Sequence, residues 1–185
     1  MRLLVPVFLI AGLVSSIAVA RDVARDYEKR LFKVGEQVPV HELLQIMPDG
    51  TTAGADIASG KKFTLVEFIM THCGPCKANV KEHLPKLMEK IGKYTQLRLV
   101  AFQPRRHDDT PLVRRVNNFR RKYADYIDYP IALDMDRTAK KAYKVRYTPT
   151  TYLLDSNRKV LFRKVGAFKP EDIEKVRKIV RRARR

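Results

Sequence analysis

The chain has 185 residues, of which 45% are hydrophobic and 31% charged, with two cysteines and no tryptophan. That length and apolar share suit one domain with a sizeable core and exclude a chain disordered throughout. Lys and Arg outnumber Asp and Glu by 38 to 20, a formal charge of +18, which attracts anionic partners without dictating a fold.

The first twenty residues stand apart. Arg2 gives a basic start, Leu3 to Val19 is almost wholly apolar, and Ala18-Val19-Ala20 before Arg21 has the small-x-small spacing of a signal-peptidase site. Residues 1–20 read as a secretory signal peptide. An uncleaved anchor is the alternative, because the apolar run is close to the shortest that crosses a bilayer. The expected location is the periplasm or another extracytoplasmic compartment. Cleavage removes Arg2 and no acidic side chain, leaving +17.

Residues 21–33 form a charged leader, with Tyr27, Leu31 and Phe32 spaced along it. A domain over 34–182 follows, and 183–185 are a basic end. Val34 to Met47 holds a short strand, and Pro48-Asp49-Gly50-Thr51 reads as a turn. After a break at Gly60-Lys61-Lys62, Phe63 to Ile69 is continuously apolar except for Thr64 and Glu67, as a central strand covered on both faces should be. From Cys76 to Ile91 the residues Val80, Leu84, Leu87, Met88 and Ile91 recur at helical spacing, with Pro85 inside as a candidate kink.

Leu97 to Phe102 is a second buried strand. Asp108, Asp109 or Thr110 is placed to cap the next helix, with Pro111 in its first turn and Val113, Val116, Phe119 and Tyr123 as its apolar stripe. Tyr129 to Leu133 reads as a third strand and Arg137 to Tyr143 as a short helix. Thr150 to Leu154 and Val160 to Phe162, joined by Asp155-Ser156-Asn157, read as a hairpin ended by Gly166. Pro170 opens a last helix with Ile173, Val176, Ile179 and Val180 on one face; beyond Val180 the chain is expected to fray. The order implies an α/β fold: a central mixed sheet flanked by helices. No internal repeat, glycine-rich phosphate loop or nucleic-acid module is present, and export argues against nucleic acid as a partner.

The chemistry concentrates at Cys73-Gly74-Pro75-Cys76, where a strand ends and a helix begins. A disulfide closing so short a loop restricts the unfolded chain little, so redox chemistry explains the pair better than a staple. A metal site is the other alternative. Unpaired N–H groups at the helix start stabilise an anion and lower the pKa of Cys73, whose thiolate attacks a disulfide. Cys76, deeper in the first turn, resolves the intermediate. Gly74 permits a tight turn and Pro75 supports the first helical turn. Glu67, six residues before Cys73, is costly inside an apolar strand unless protonated, paired or useful. Burial raises its pKa and suits it to exchange a proton with Cys76.

These residues resemble the thioredoxin superfamily, and more closely its exported branch of TlpA- and ResA-like thiol–disulfide oxidoreductases, over roughly residues 34–182. Cys73 to Cys76 matches the thioredoxin motif residue for residue, and Glu67 falls on the position of its buried Asp. Tyr147-Thr148-Pro149-Thr150 resembles the segment whose proline is cis and faces the cysteines. The segment from Phe119 through Asp155 resembles the helix and strand that this branch inserts. The resemblance implies a thioredoxin-like fold and an enzyme that reduces protein disulfides by dithiol exchange, in cytochrome c maturation or thiol maintenance. It implies a membrane-bound electron donor and no cofactor or resident metal. It also implies that the Thr148 backbone and Pro149 hold an extended substrate, strand to strand, beside His72, Gly74 and Pro75. His72 stands where the family usually has Trp; protonated, it would further stabilise the Cys73 thiolate. The alternatives are a disulfide oxidase or isomerase, and a Cu(I)-binding chaperone using Cys73, Cys76 and His72 with Met70. The six cations among Arg177, Lys178, Arg181, Arg182, Arg184 and Arg185 suggest weak association with anionic membrane surfaces or acidic proteins.

Overall fold

The computed structural model describes residues 26–103 and 111–184. The expected signal peptide, the start of the leader and the candidate caps Asp108, Asp109 and Thr110 lie outside the described residues. The chain divides into two compact units, residues 1–31 and 32–185. In the first, residues 26–30 are helical, with Lys29 paired to Asp26 at 3.1 Å. Among the described residues no helix is long and apolar enough to cross a membrane.

The second unit is a seven-stranded mixed sheet in the order β2-β1-β5-β4-β3-β6-β7. Its strands are β1 (Glu42–Ile46), β2 (Thr52–Asp56), β3 (Phe63–Ile69), β4 (Thr95–Phe102), β5 (Ile131–Asp134), β6 (Thr150–Asp155) and β7 (Val160–Val165). The three central strands β5, β4 and β3 are parallel. The remaining pairings, β1 with β2 and β5, β6 with β3 and β7, are antiparallel. All seven residues of β3 are buried, as its unbroken apolar run requires.

Alternation along the strands separates two faces. Phe63, Leu65 and Ile69 of β3, with Leu97, Leu99 and Ala101 of β4, join the core formed with the helices that follow the cysteines and with the last helix. Phe68 turns to the other face, where its ring lies 5.3 Å from that of Tyr143, which is 6.1 Å from Tyr152.

The helix after the cysteines is not continuous. It runs as α1 (Gly74–Ala78), a π-helical turn over Asn79–His83, and α2 (Leu84–Ile91). Pro85, in the first turn of α2, has no N–H to give to the carbonyl four residues back. A π turn before it lets the helix pass the proline without breaking.

The helix α3 (Leu112–Lys122) begins later than its sequence suggests: Pro111 is the residue before it, not in it, and provides no side-chain cap. The expected stripe holds at every position but its first. Leu112, Val116, Phe119 and Tyr123 are buried, while Val113, expected in the stripe, is 40% exposed. Short α4 (Thr138–Ala142) precedes β6. The last helix, α5 (Pro170–Ala183), runs past Val180 instead of fraying there. Two contacts hold its end: Lys62 donates to the Arg184 carbonyl at 2.8 Å, and the Arg184 guanidinium lies 5.1 Å from the Tyr94 ring centre.

Candidate active site

The cysteines sit where β3 gives way to α1. Cys73 is the N-cap of that helix with extended backbone, and Pro75 lies in its first turn. Cys73 and Cys76 are joined as a disulfide with their Cα atoms 5.3 Å apart. The Cys76 N–H points at Cys73 Sγ across 3.2 Å, so the sulfur occupies the place of a capping oxygen. An N–H at a helix start is a donor suited to a negatively charged sulfur. Cys73 is half-buried and Cys76 wholly buried, the asymmetry expected between an attacking and a resolving thiol.

Gly74 is not needed for a tight turn. It is the first helical residue, has no positive φ, and a Cβ placed on it would meet nothing within 4 Å. Gly74, Pro75 and His72 are all exposed around Cys73 and form the rim of the site. Across from them the Thr148–Pro149 peptide is cis, and the Thr148 carbonyl oxygen lies 3.6 Å from Cys73 Sγ. Thr148 is half-buried and Pro149 buried; the Pro149 carbonyl accepts from the Gly166 N–H at 2.8 Å, which ties this loop to the end of β7.

Glu67 lies under the helix, fully buried, on the β3 face that packs against α1 and α2. One carboxyl oxygen, Oε2, accepts from Asn79 Nδ2 at 3.0 Å and from Thr151 Oγ1 at 2.9 Å. The other, Oε1, is buried with no hydrogen-bond partner among the described residues. Burial pushes the carboxyl up to about 7, although the two donors pull the other way. Asn79 is three residues beyond Cys76, so the resolving thiol and the Glu67 donor share one face of the helix.

Sequence reasoning missed Asn79 and Thr151. Thr151 stands opposite Glu67 in the antiparallel register of β3 and β6, which only strand pairing reveals. Asn79 also accepts the Phe168 N–H on Oδ1 at 2.8 Å, so one amide links the redox helix, the buried acid and the loop before α5. Its signal is a polar residue one helical turn after Cys76. Among the described residues no group of three or more His, Cys, Asp or Glu side chains is placed to hold a metal ion.

The sequence pattern of the Redoxin family matches residues 33–180. The chain belongs to the Redoxin family. This redoxin is 28% identical over 134 residues to the thiol-disulfide oxidoreductase ResA of Oceanobacillus iheyensis, an alignment covering 70% of the chain but only 64% of that relative. A protein from Chlorobium tepidum described as thiol:disulfide interchange protein DsbE superposes with a TM-score of 0.61 at 23% identity, covering 82% of this chain and 98% of its own. StoA of Bacillus subtilis gives 0.57 at 19%, covering 77% and 98%. A reduced 2-Cys peroxiredoxin of Plasmodium vivax gives 0.62 at 15%, covering 83% and 99%. These likenesses establish a thioredoxin-like fold, and the sequence is similar to that of a ResA-type protein.

Proposed function

We propose that the chain is an exported thiol–disulfide oxidoreductase that reduces protein disulfides by dithiol exchange. The observation that carries this reading is the position of Cys73 Sγ, held under a helix-start N–H and facing the Thr148 carbonyl before a cis proline. The Cys73 thiolate attacks a substrate disulfide, forming a mixed disulfide and expelling one substrate thiolate. Glu67, as carboxylate, takes the Cys76 proton. The Cys76 thiolate then attacks Cys73 Sγ, closing the Cys73–Cys76 disulfide and releasing the second substrate thiol. Two electrons pass to the substrate, and a dithiol donor, proposed to be membrane-bound, restores the reduced form.

Thr148 offers its backbone to an extended substrate, with His72, Gly74, Pro75 and Pro149 forming the surrounding surface. The apolar start with its Ala18-Val19-Ala20 site supports export and cleavage after residue 20. Extracytoplasmic thiol maintenance, including cytochrome c maturation, is the role that follows. The test of direction is the reduction potential measured against glutathione: a value well below the glutathione couple fits a reductase, and one in the range of strong oxidants overturns it.

A further inference from the structure

Two concavities of one sign include residues next to the cysteines. The larger, an open groove of ≈ 980 Å³, runs from Met70 to the segment before the cis proline. Among the described residues its lining carries five cations, Arg137, Lys140, Lys141, Lys144 and Arg146, against one carboxylate, Asp136. It adjoins the chemistry at both ends: the Met70 carbonyl accepts the Cys73 N–H at 3.0 Å, and Arg146 stands two residues before Thr148. The smaller, ≈ 240 Å³, includes Thr71 before the cysteines and Lys77 of α1, with Arg115 and Lys122, and no acidic residue. The basicity is not uniform over the molecule. Of two concavities that share no residue with the redox loop, one of ≈ 740 Å³ has one cation, Lys61, against Glu89, Asp125 and Asp128, while one of ≈ 690 Å³ has Arg114, Arg120 and Arg121 and no acidic residue.

The larger groove is built for side chains rather than for a bare ion. Met135 is 53% exposed in it, and the Lys140 ammonium lies 5.4 Å from the centre of the buried Phe102 ring, so the groove offers one apolar contact among its charges. A peptide held along Thr148 with its cysteine at Cys73 has neighbours within reach of these cations. Acidic neighbours gain attraction there, while basic neighbours are repelled.

We infer that this groove selects disulfide substrates whose cysteine is flanked by Asp or Glu, a specificity that rests on the dithiol-exchange reading above. Charge of this kind speeds encounter and sets preference, and its effect fades with salt.

The test compares two disulfide-linked peptides of equal length, one with acidic and one with Ser/Gln flanks, by kcat/KM. The wild type is expected to favour the acidic peptide by about tenfold at low ionic strength, as two or three exposed charge pairs would give. That preference shrinks towards equality in high salt, a reading that requires no variant. Lys141→Glu with Arg146→Glu is expected to invert the preference, and Lys141→Gln with Arg146→Gln to fall between. Equal rates on the two peptides in the wild type, or a preference that survives the charge reversal, overturn the groove's role alone. Failure to reduce either peptide overturns the dithiol-exchange reading and the groove's role with it. Equal peptide rates, together with phosphatidylglycerol-vesicle binding lost on charge reversal, overturn the proposal in favour of a membrane surface.

Discussion

The two sides of the redox helix are opposites. Beneath it, Glu67, Asn79 and Thr151 form a buried polar set with a carboxyl held near neutrality by desolvation. Above it, the half-buried Cys73 opens onto an exposed rim and a surface lined with Lys and Arg. A low-dielectric interior changes the proton affinity of a group, whereas an exposed charged surface is screened and mainly biases encounter. Changes below the helix should therefore alter the pH dependence of exchange, and changes above it the choice of partner.

The largest effect belongs to the thiols that separate the two sides. Cys73→Ser is expected to reduce insulin-disulfide turnover to the uncatalysed background, since Cys73 Sγ is the sulfur that faces the Thr148 carbonyl. Cys76→Ser is expected to accumulate a mixed disulfide on Cys73, visible by non-reducing electrophoresis and mass spectrometry.

Next comes the buried acid. Glu67→Gln keeps the shape of the protonated carboxyl but cannot take a proton, so exchange should lose its inflection near pH 7. Above that pH the rate should fall by about tenfold to a hundredfold, at or below the usual range for a positioned acid–base group. Stability follows the same proton. A folded value of about 7 against an ordinary 4.5 means the folded state keeps a proton that the unfolded state has lost. Wild-type stability should fall as pH rises through that window, by about 3 kcal/mol in all. Urea unfolding from pH 4 to 8 should show this fall in the wild type and not in Glu67→Gln.

Asn79 and Thr151 sharpen the comparison. Both donate to the charged form of Glu67 and hold its proton affinity down. Thr151→Val should move the kinetic inflection upward with little loss of exchange chemistry otherwise. Asn79→Ala should shift it in the same direction and also orphan the Phe168 N–H, costing about 1–3 kcal/mol. Thermal unfolding read beside the pH–rate profile separates the two variants.

The smallest effect on exchange is expected at the C-terminus. Deleting residues 181–185 should weaken co-sedimentation with anionic vesicles at low salt, by about 1 kcal/mol for each basic residue that reaches the surface. Exchange rates should not change, because the tail has no part in the thiol chemistry.

The helix-start cysteines, the central strand and the buried acid were legible because each leaves a local mark: C-G-P-C after an apolar run, and one carboxylate within it. β2 was not. Its Thr-Ala-Gly-Ala-Asp is half-exposed and weak in strand propensity, and it exists as a strand through antiparallel pairing with β1 at the sheet edge. In α3 the stripe of Val116, Phe119 and Tyr123 was legible, and only its first member was missed: Leu112 is buried where Val113 was expected. Thr151 was hidden because register is a property of two strands together. The cationic groove was equally hidden, since Met70, Phe102 and the α4 cations meet only through the sheet.

The most direct test of dithiol exchange through Cys73 and Cys76 is a single-turnover reaction of the fully reduced protein with a disulfide-linked peptide, quenched in acid and followed by mass spectrometry. The account predicts a transient peptide adduct on Cys73, then one Cys73–Cys76 disulfide for each peptide disulfide reduced. In Cys76→Ser the adduct should persist. Reduction of the peptide without that internal disulfide, or an adduct first formed on Cys76, would contradict it.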